Sequence, residues 1–371
     1  MTFLLNFGSV LIVIFTYSSC TNKKWKPSAA FEQRNSVFYL RGPYNYSHYK
    51  RNNKDYRTGA AAHWAHGAAH DMLLNSSLET ASTDDRKFLE QALQKIKEPP
   101  RTEPHQDYVG PVFGRLAYRA VQAMDWAHML HEQLYDIMAD DAIPTEEKKK
   151  WIDRAVDYYL AQPTMAFSPA PLEVTLERVG IETVRPNIKT YFSHYPKTKG
   201  LFFGFHWWHP EIYEVQLIYG EYQEKPILEV LRVFSEEVIP NPPNRMLLSR
   251  EMMPRFSQIS PEAANIFDNL HMFHGIVYGI LASPDIVDKR NEIYRVIDAM
   301  TVKPGDHELA KTYKVPYPHP DVDPLIYEEW MWNEPGEMGR IMHHDMKDMK
   351  NGKNHMKMNH ENMDIEHEHI N

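Results

Sequence analysis

Two pairs of histidines stand in nearly identical sequence contexts. His128 and His131 belong to one stretch and His271 and His274 to another, and both stretches follow the pattern Asp-x-x-His-Met-x-His-x-x-x-Tyr-x-Ile. Residues three and seven positions apart share one face of an α-helix. Each stretch therefore aims two imidazoles and a tyrosine in one direction, and imidazoles converging from several helices are a usual way for a bundle core to hold a transition metal.

A second kind of pair precedes each of these stretches. His63-Trp64-Ala65-His66 and His206-Trp207-Trp208-His209 agree at three of four positions, and His63 is separated from His206 by the same distance along the chain as His128 from His271. We call this common separation the repeat offset. Two motifs recurring in the same order at one offset predict an internal duplication. Pro210 follows the last of these histidines directly, which predicts a helix beginning there and leaves His206 in the preceding loop.

The predicted metal ligands are the histidines of the four pairs and one neighbour: His63, His66, His70, His128, His131, His206, His209, His271 and His274. The predicted outer shell consists of carboxylates and phenols on the same helix faces: Asp125, Asp268, Tyr135, Tyr213 and Tyr278. Copper is the favoured ion, with iron or zinc as alternatives. The sequence contains no Cys-x-x-Cys-His and, before residue 338, no Glu-x-x-His. Covalent haem is thereby excluded and a di-iron carboxylate site is disfavoured, while a bis-His b-type haem stays open.

The elements that carry these residues are predicted to be helical throughout. Apolar residues recur at helix spacing and few β-branched alternations appear, so the expected class is all-α: a duplicated helical-hairpin bundle of two pseudo-symmetric halves with long irregular connections. Helices are expected from Gly59, over 112–140, and from Pro284 to Met300, and the segment 162–204 is expected to be irregular except for a helix near Leu172–Val179.

The C-terminal segment is a Met/His tract with no apolar core. Thioethers and imidazoles together are a soft ligand set that suits copper in either oxidation state. The predicted tail ligands are Met342, His343, His344, Met346, His355, Met356, Met358, His360, His367 and His369. Such a tail fits the recruitment or buffering of ions better than catalysis.

The N-terminus has the features of an export signal. An apolar run ends at Phe15, small polar residues follow, and Cys20 is the one cysteine of the chain. Tyr17-Ser18-Ser19-Cys20 resembles the lipobox of bacterial lipoproteins, over residues 1–20 only, with Tyr17 where Leu is usual and no Lys or Arg before the apolar run. The resemblance implies that Cys20 is lipidated and that the body is anchored to the bacterial cell envelope.

The predicted organisation has seven segments: 1–19, export signal; 20–57, lipid-anchored tether; 58–161, first helical half; 162–204, connection; 205–300, second helical half; 301–337, Pro/aromatic covering segment; 338–371, disordered Met/His-rich tail. A formal net charge of -9 argues against nucleic acid as a partner. Three functions are compatible with these features. They are a membrane-anchored metal-dependent oxidoreductase, a non-catalytic lipoprotein that delivers copper to another protein, and a b-type haem electron carrier.

Overall fold

The computed structural model describes residues 46–312, and these residues are helical apart from connections and one isolated bridge between Phe167 and Thr301. The helices of the first part are α1 Ser47–Arg51, α2 Asn53–Asn75, α3 Ala81–Lys97, α4 Gln106–Val109, α5 Pro111–Leu116, α6 Tyr118–Ala139 and α7 Thr145–Leu160. Those of the second part are α8 Leu172–Val179, α9 Ile181–His194, α10 Pro196–Tyr219, α11 Glu224–Val233, α12 Ser249–Met252, α13 Pro254–Ile259, α14 Pro261–Ala282, α15 Lys289–Met300 and α16 Asp306–Thr312. The all-α class is therefore confirmed.

Four long helices, α2, α6, α10 and α14, form the core and carry the histidine pairs. Helix α2 packs on α14 and helix α10 packs on α6, so each contact joins an element of one half to an element of the other. Every residue of α14 from Glu262 to Ala282 is buried. A helix that is apolar on all sides is stable only when it is surrounded, and the shorter helices supply that cover. Among residues 46–312 no helix has both the length and the apolar content needed to cross a bilayer.

Helix α10 corrects the prediction made from Pro210. It runs unbroken from Pro196 to Tyr219, so His206 lies inside a helix rather than in a loop. Proline in a helix interior removes one backbone hydrogen bond and costs about 3 kcal/mol. All residues from Leu201 to Gln216 are buried, and burial of a single large apolar side chain contributes about 2 kcal/mol. The packing of several such side chains outweighs the local cost of the proline.

The segment 162–204 is also more regular than expected. Helix α8 lies where it was predicted, but α9 and the first turns of α10 occupy most of the remainder. The long helix expected over 112–140 is divided at Ala117 into α5 and α6, and α15 begins at Lys289 after its N-cap Asp288 rather than at Pro284. The first long helix begins at Asn53, before Gly59. The segments 1–19, 313–337 and 338–371 and most of the 20–57 tether lie outside the described residues, and so do Cys20 and the tail ligands.

The helix bounds recur at the repeat offset seen in the sequence. Helices α4, α5 and α6 begin at Gln106, Pro111 and Tyr118, and one repeat offset later α12, α13 and α14 begin at Ser249, Pro254 and Pro261. The hydrogen bonds that hold the short helices recur as well. Asp125 accepts from the backbone N–H of Gln106 at 3.3 Å, and Asp268 accepts from that of Ser249 at 2.7 Å.

Candidate metal centre

Eight histidine rings from the four core helices meet in the centre of the bundle. They are the members of the four His-x-x-His pairs, namely His63, His66, His128, His131, His206, His209, His271 and His274, and each is at most 4 % exposed. We call this set the imidazole cluster. His70, the ninth predicted ligand, stacks on Phe113 with ring centroids 4.1 Å apart and lies 5.8 Å from His274.

Six rings of the cluster form two groups of three that could each hold an ion. Site A is defined by His66, His128 and His274, and site B by His131, His209 and His271; within each site the candidate ligand atoms lie within 4.8 Å of one another. At metal–nitrogen distances of about 2.0 Å, three nitrogens on one ion are roughly 3.3–3.6 Å apart. Small rotations of the rings would complete such a geometry.

The histidines of site A and those of site B stand at equivalent positions of the repeat. His66 and His128 of site A correspond to His209 and His271 of site B, and His131 of site B corresponds to His274 of site A. Equivalent ring separations agree, at 4.9 Å for His66 to His274 and 4.7 Å for His209 to His131. Each site thus takes two rings from one half of the chain and one ring from the other.

His63 and His206 are the two rings of the cluster outside sites A and B. The His63 ring stacks on His128 at 4.0 Å and lies 6.0 Å from His209. The His206 ring lies 3.9 Å from His271. The eight rings are therefore one continuous set, in which these two could complete a coordination sphere or orient a neighbouring ring.

Burial keeps the rings in the form that binds metals. It lowers the pKa of every ring in the cluster, to about 4 for His63 and about 3 for His274. Neutral imidazole has a lone pair for a metal, whereas imidazolium has none.

Several ring nitrogens have no hydrogen-bond partner inside the described part of the protein. The Nε2 atoms of His131 and His274 and both ring nitrogens of His66 are buried without one. A buried polar atom left in this state costs about 1–3 kcal/mol, so a run of them in one place is the expected mark of a ligand shell.

Two rings are fixed by hydrogen bonds at their other nitrogen. Tyr213 Oη lies 2.7 Å from His131 Nδ1, and His274 Nδ1 lies 3.1 Å from the carbonyl oxygen of Leu270. Bonds of this type set the tautomer and leave Nε2 available to an ion. Tyr213 thus makes a contact through which it could have its predicted outer-shell role.

The other predicted outer-shell residues contact the backbone. Tyr135 donates to the carbonyl oxygen of His209 at 2.7 Å, and Tyr278 donates to that of His66 at 3.1 Å, so each half ties a core helix of the other. Asp125 and Asp268 accept from the first residues of α4 and α12, as described above. Burial raises the pKa of Asp268 to about 7.

Glu103 is not among the ligands predicted from the sequence. It lies in the connection before α4, contacts His63 Nδ1, and together with His63 and His128 forms a third possible ligand group. Its side chain is 17 % exposed, and burial raises its pKa to about 7. No helical spacing links Glu103 to the histidines, so only the fold brings it to the cluster.

The third group competes with site A for His128. It has no counterpart in the other half, where Met246 stands at the position equivalent to Glu103. Sites A and B, in contrast, reproduce each other ring by ring, and this agreement favours them as the principal ligand groups.

Comparison of the chain with family models, with curated proteins and with solved structures finds no match.

Proposed function

We propose that this protein is an exported, membrane-anchored metalloprotein that binds one transition-metal ion in site A and one in site B and uses them in a redox reaction. The observation that carries the proposal is the pair of buried three-His groups within 4.8 Å. A lone buried histidine is usually a satisfied core residue. Two sets of three with unpartnered nitrogens, related by one offset, call for a ligand.

The repeated architecture supports the same proposal. We infer that the body arose by internal duplication, because motifs, helix bounds and capping hydrogen bonds all recur at the repeat offset. Since each site draws rings from both halves, neither half could bind an ion in this way alone. The duplication and the metal sites would then have been retained together.

The donor set favours copper. Sites A and B offer imidazole alone, which suits copper and zinc, with iron less favoured in the absence of a carboxylate. Copper would supply one-electron redox chemistry, which zinc cannot. The b-type haem alternative is less favoured, because imidazole rings in direct contact, with centroids 3.9–4.9 Å apart, fill the core where a porphyrin would have to lie.

Copper delivery is the second candidate function. The Met/His composition of residues 338–371 is the observation that favours it, since soft ligands without a core suit transient ion binding. Lipidation at Cys20 and location in the bacterial cell envelope belong to the proposal in either case. A redox or metal-transfer protein would be the partner.

Metal content of the purified full-length chain tests the proposal. We expect two tightly held ions that survive dialysis against a weak chelator, and about one after His271→Ala or His128→Ala. His307→Ala, which changes a histidine 37 % exposed and outside the cluster, is the matched control and should retain two. Full retention in the cluster variants would show that the tail alone binds the ions and would reject the proposal for the body.

A further inference from the structure

The surroundings of sites A and B differ although their rings correspond. Beside site B lies a cleft lined by His63, His131 and His209 of the cluster and by Gly59, Glu132 and Trp208, with an empty volume of about 460 Å³ that includes space open to solvent. At the equivalent place beside site A, lined by His66, Phe202 and Tyr278 among others, the corresponding empty volume is about 170 Å³. Site B therefore has the larger empty space beside it.

One exchange of residues accounts for much of this difference. Gly59 lines the larger cleft, and its counterpart one repeat offset later is Phe202. The ring of Phe202 covers site A, with its centroid 4.3 Å from His206 and 4.8 Å from His66. At Gly59 a Cβ would meet only Trp208 within 4 Å, at 3.5 Å. The ring beside site B is that of Trp208, 4.4 Å from His209 and at the position where the other half has Ala65, so the Gly59 side of the cleft carries no side chain.

The helix that borders each place is also held differently. Asp136 accepts from the backbone N–H of His48 at 3.0 Å and so carries α1 on a carboxylate at the rim of the cleft. Its counterpart is Gly279, where the backbone of α9 comes so close that a Cβ would lie 2.8 Å from Ile188 N. A carboxylate therefore joins α1 to α6, whereas the glycine lets the backbone of α9 lie directly against α14.

The lining of the cleft identifies a class of ligand. Its walls are aromatic, with Tyr46, Tyr49, Tyr56, Tyr135 and Trp208. Trp208 is fixed by the 3.0 Å hydrogen bond from its Nε1 to Asp55. Trp208 and Tyr135, which hydrogen bonds hold in place, favour a flat aromatic ligand through stacked or edge-to-face contacts.

Three carboxylates line the cleft: Asp55, Glu132 and Asp136. Glu132 follows His131 of site B in α6, stands where the other half has Gly275, and is hydrogen-bonded to Glu103. A carboxylate in that position accepts a hydrogen bond from a hydroxyl group and repels an anionic ligand. The cleft therefore selects a neutral ring that carries a hydroxyl.

We propose that site B is the reactive site of the pair and that its cleft binds single-ring phenols, with the hydroxyl directed to the site B ion and Glu132. This proposal rests on the metal binding proposed above. Site A, covered by Phe202, then holds an ion that small molecules do not reach.

Binding of 4-fluorophenol to the full-length chain loaded with Zn²⁺ tests this proposal, because zinc cannot oxidise the probe. Fluorine NMR would measure the dissociation constant, and zinc would be counted in the same samples. We expect saturable binding at one site per chain. Gly59→Phe, which places a ring in the cleft beside Trp208, should weaken binding by at least about tenfold while the zinc count stays at two. Phe202→Leu, the matched control at the equivalent position, should leave the affinity unchanged.

Glu132→Gln provides a second variant that keeps the shape of the cleft. Loss of a hydrogen bond to a charged group should weaken binding by about tenfold. A chain that holds two zinc ions but does not bind the phenol overturns this inference and leaves the metal proposal intact, whereas a chain that holds no zinc in the cluster overturns both. Equal affinity in Gly59→Phe and the unsubstituted chain, or loss of affinity in Phe202→Leu, also overturns it.

Discussion

Replacement of Tyr213 by phenylalanine should weaken metal binding at site B and spare site A. The Tyr213 hydroxyl is buried and lies 2.7 Å from His131 Nδ1. Without it the His131 ring loses the hydrogen bond that fixes its tautomer and orientation, although the volume of the side chain hardly changes. Loss of such an outer contact typically costs 10–100-fold in metal affinity, which is about 1.4–2.7 kcal/mol.

Competition with a chelator of known zinc affinity measures this effect. The unsubstituted chain should give two dissociation constants in the cluster, and Tyr213→Phe should shift one of them by roughly 10–100-fold. The matched control is Tyr159→Phe on α7, which removes a buried hydroxyl that accepts a hydrogen bond from the backbone N–H of Phe167 at 2.7 Å. The control should lower the free energy of unfolding by about 1 kcal/mol and leave both zinc affinities unchanged. Unshifted affinities in Tyr213→Phe, or the same shift in the control, would refute the reasoning.

Three further predictions concern stability. Gly279→Ala should lower the free energy of unfolding, measured by urea titration, by about 1–3 kcal/mol, because the added Cβ would lie 2.8 Å from the backbone of α9. The control Gly275→Ala should cost much less, because its Cβ would have its nearest neighbour at 3.8 Å. Equal effects of the two substitutions would contradict the close packing at Gly279. Glu214→Ala should cost about 1–3 kcal/mol, because its carboxylate accepts the backbone N–H groups of two successive residues of α13 at 3.1 Å, and an unchanged urea midpoint would show that this cap is dispensable. The metal-free chain should lose stability as pH falls from about 6.5 towards 3, because histidines of the unfolded chain take up protons near pH 6.5, whereas the folded pKa values of His63 and His274 are about 4 and 3. Buried carboxyl groups with raised pKa values oppose this trend, but the histidines outnumber them. A free energy of unfolding that does not change with pH in calorimetry would contradict the prediction.

The histidine pattern allowed the rings that meet in the core to be predicted from the sequence. Helical spacing placed both histidines of a pair on one face, and the fold brings His66, His128 and His274 together from three different helices. The division of these rings into two groups of three was not predictable, because it depends on which helices pack across the two halves. Periodicity describes one helix at a time and does not describe the contact between α2 and α14.

Local signals failed where packing dominates. Pro210 predicted a helix start, yet the buried helix α10 continues through it. Glu103 and His48 were missed because neither belongs to a spaced motif. His48 is buried, hydrogen-bonded to Asp55 at 3.0 Å and stacked on Tyr135, so the fold rather than the sequence reveals its place beside the cleft.

The recurrence at a fixed offset was visible in the sequence, but the differences between the halves required the structure. Gly59 and Phe202 stand at equivalent positions, and neither residue attracts attention as a site residue by its type. In the structure, the ring of Phe202 lies over site A, whereas Gly59 places no side chain beside site B.

Anomalous diffraction from crystals of the full-length chain loaded with copper tests the central claim most directly. Two peaks are expected in the core of the bundle, one among His66, His128 and His274 and one among His131, His209 and His271, each about 2.0 Å from three imidazole nitrogens. A bundle core without peaks, or a single peak at His63, Glu103 and His128, would contradict the assignment of two three-His sites.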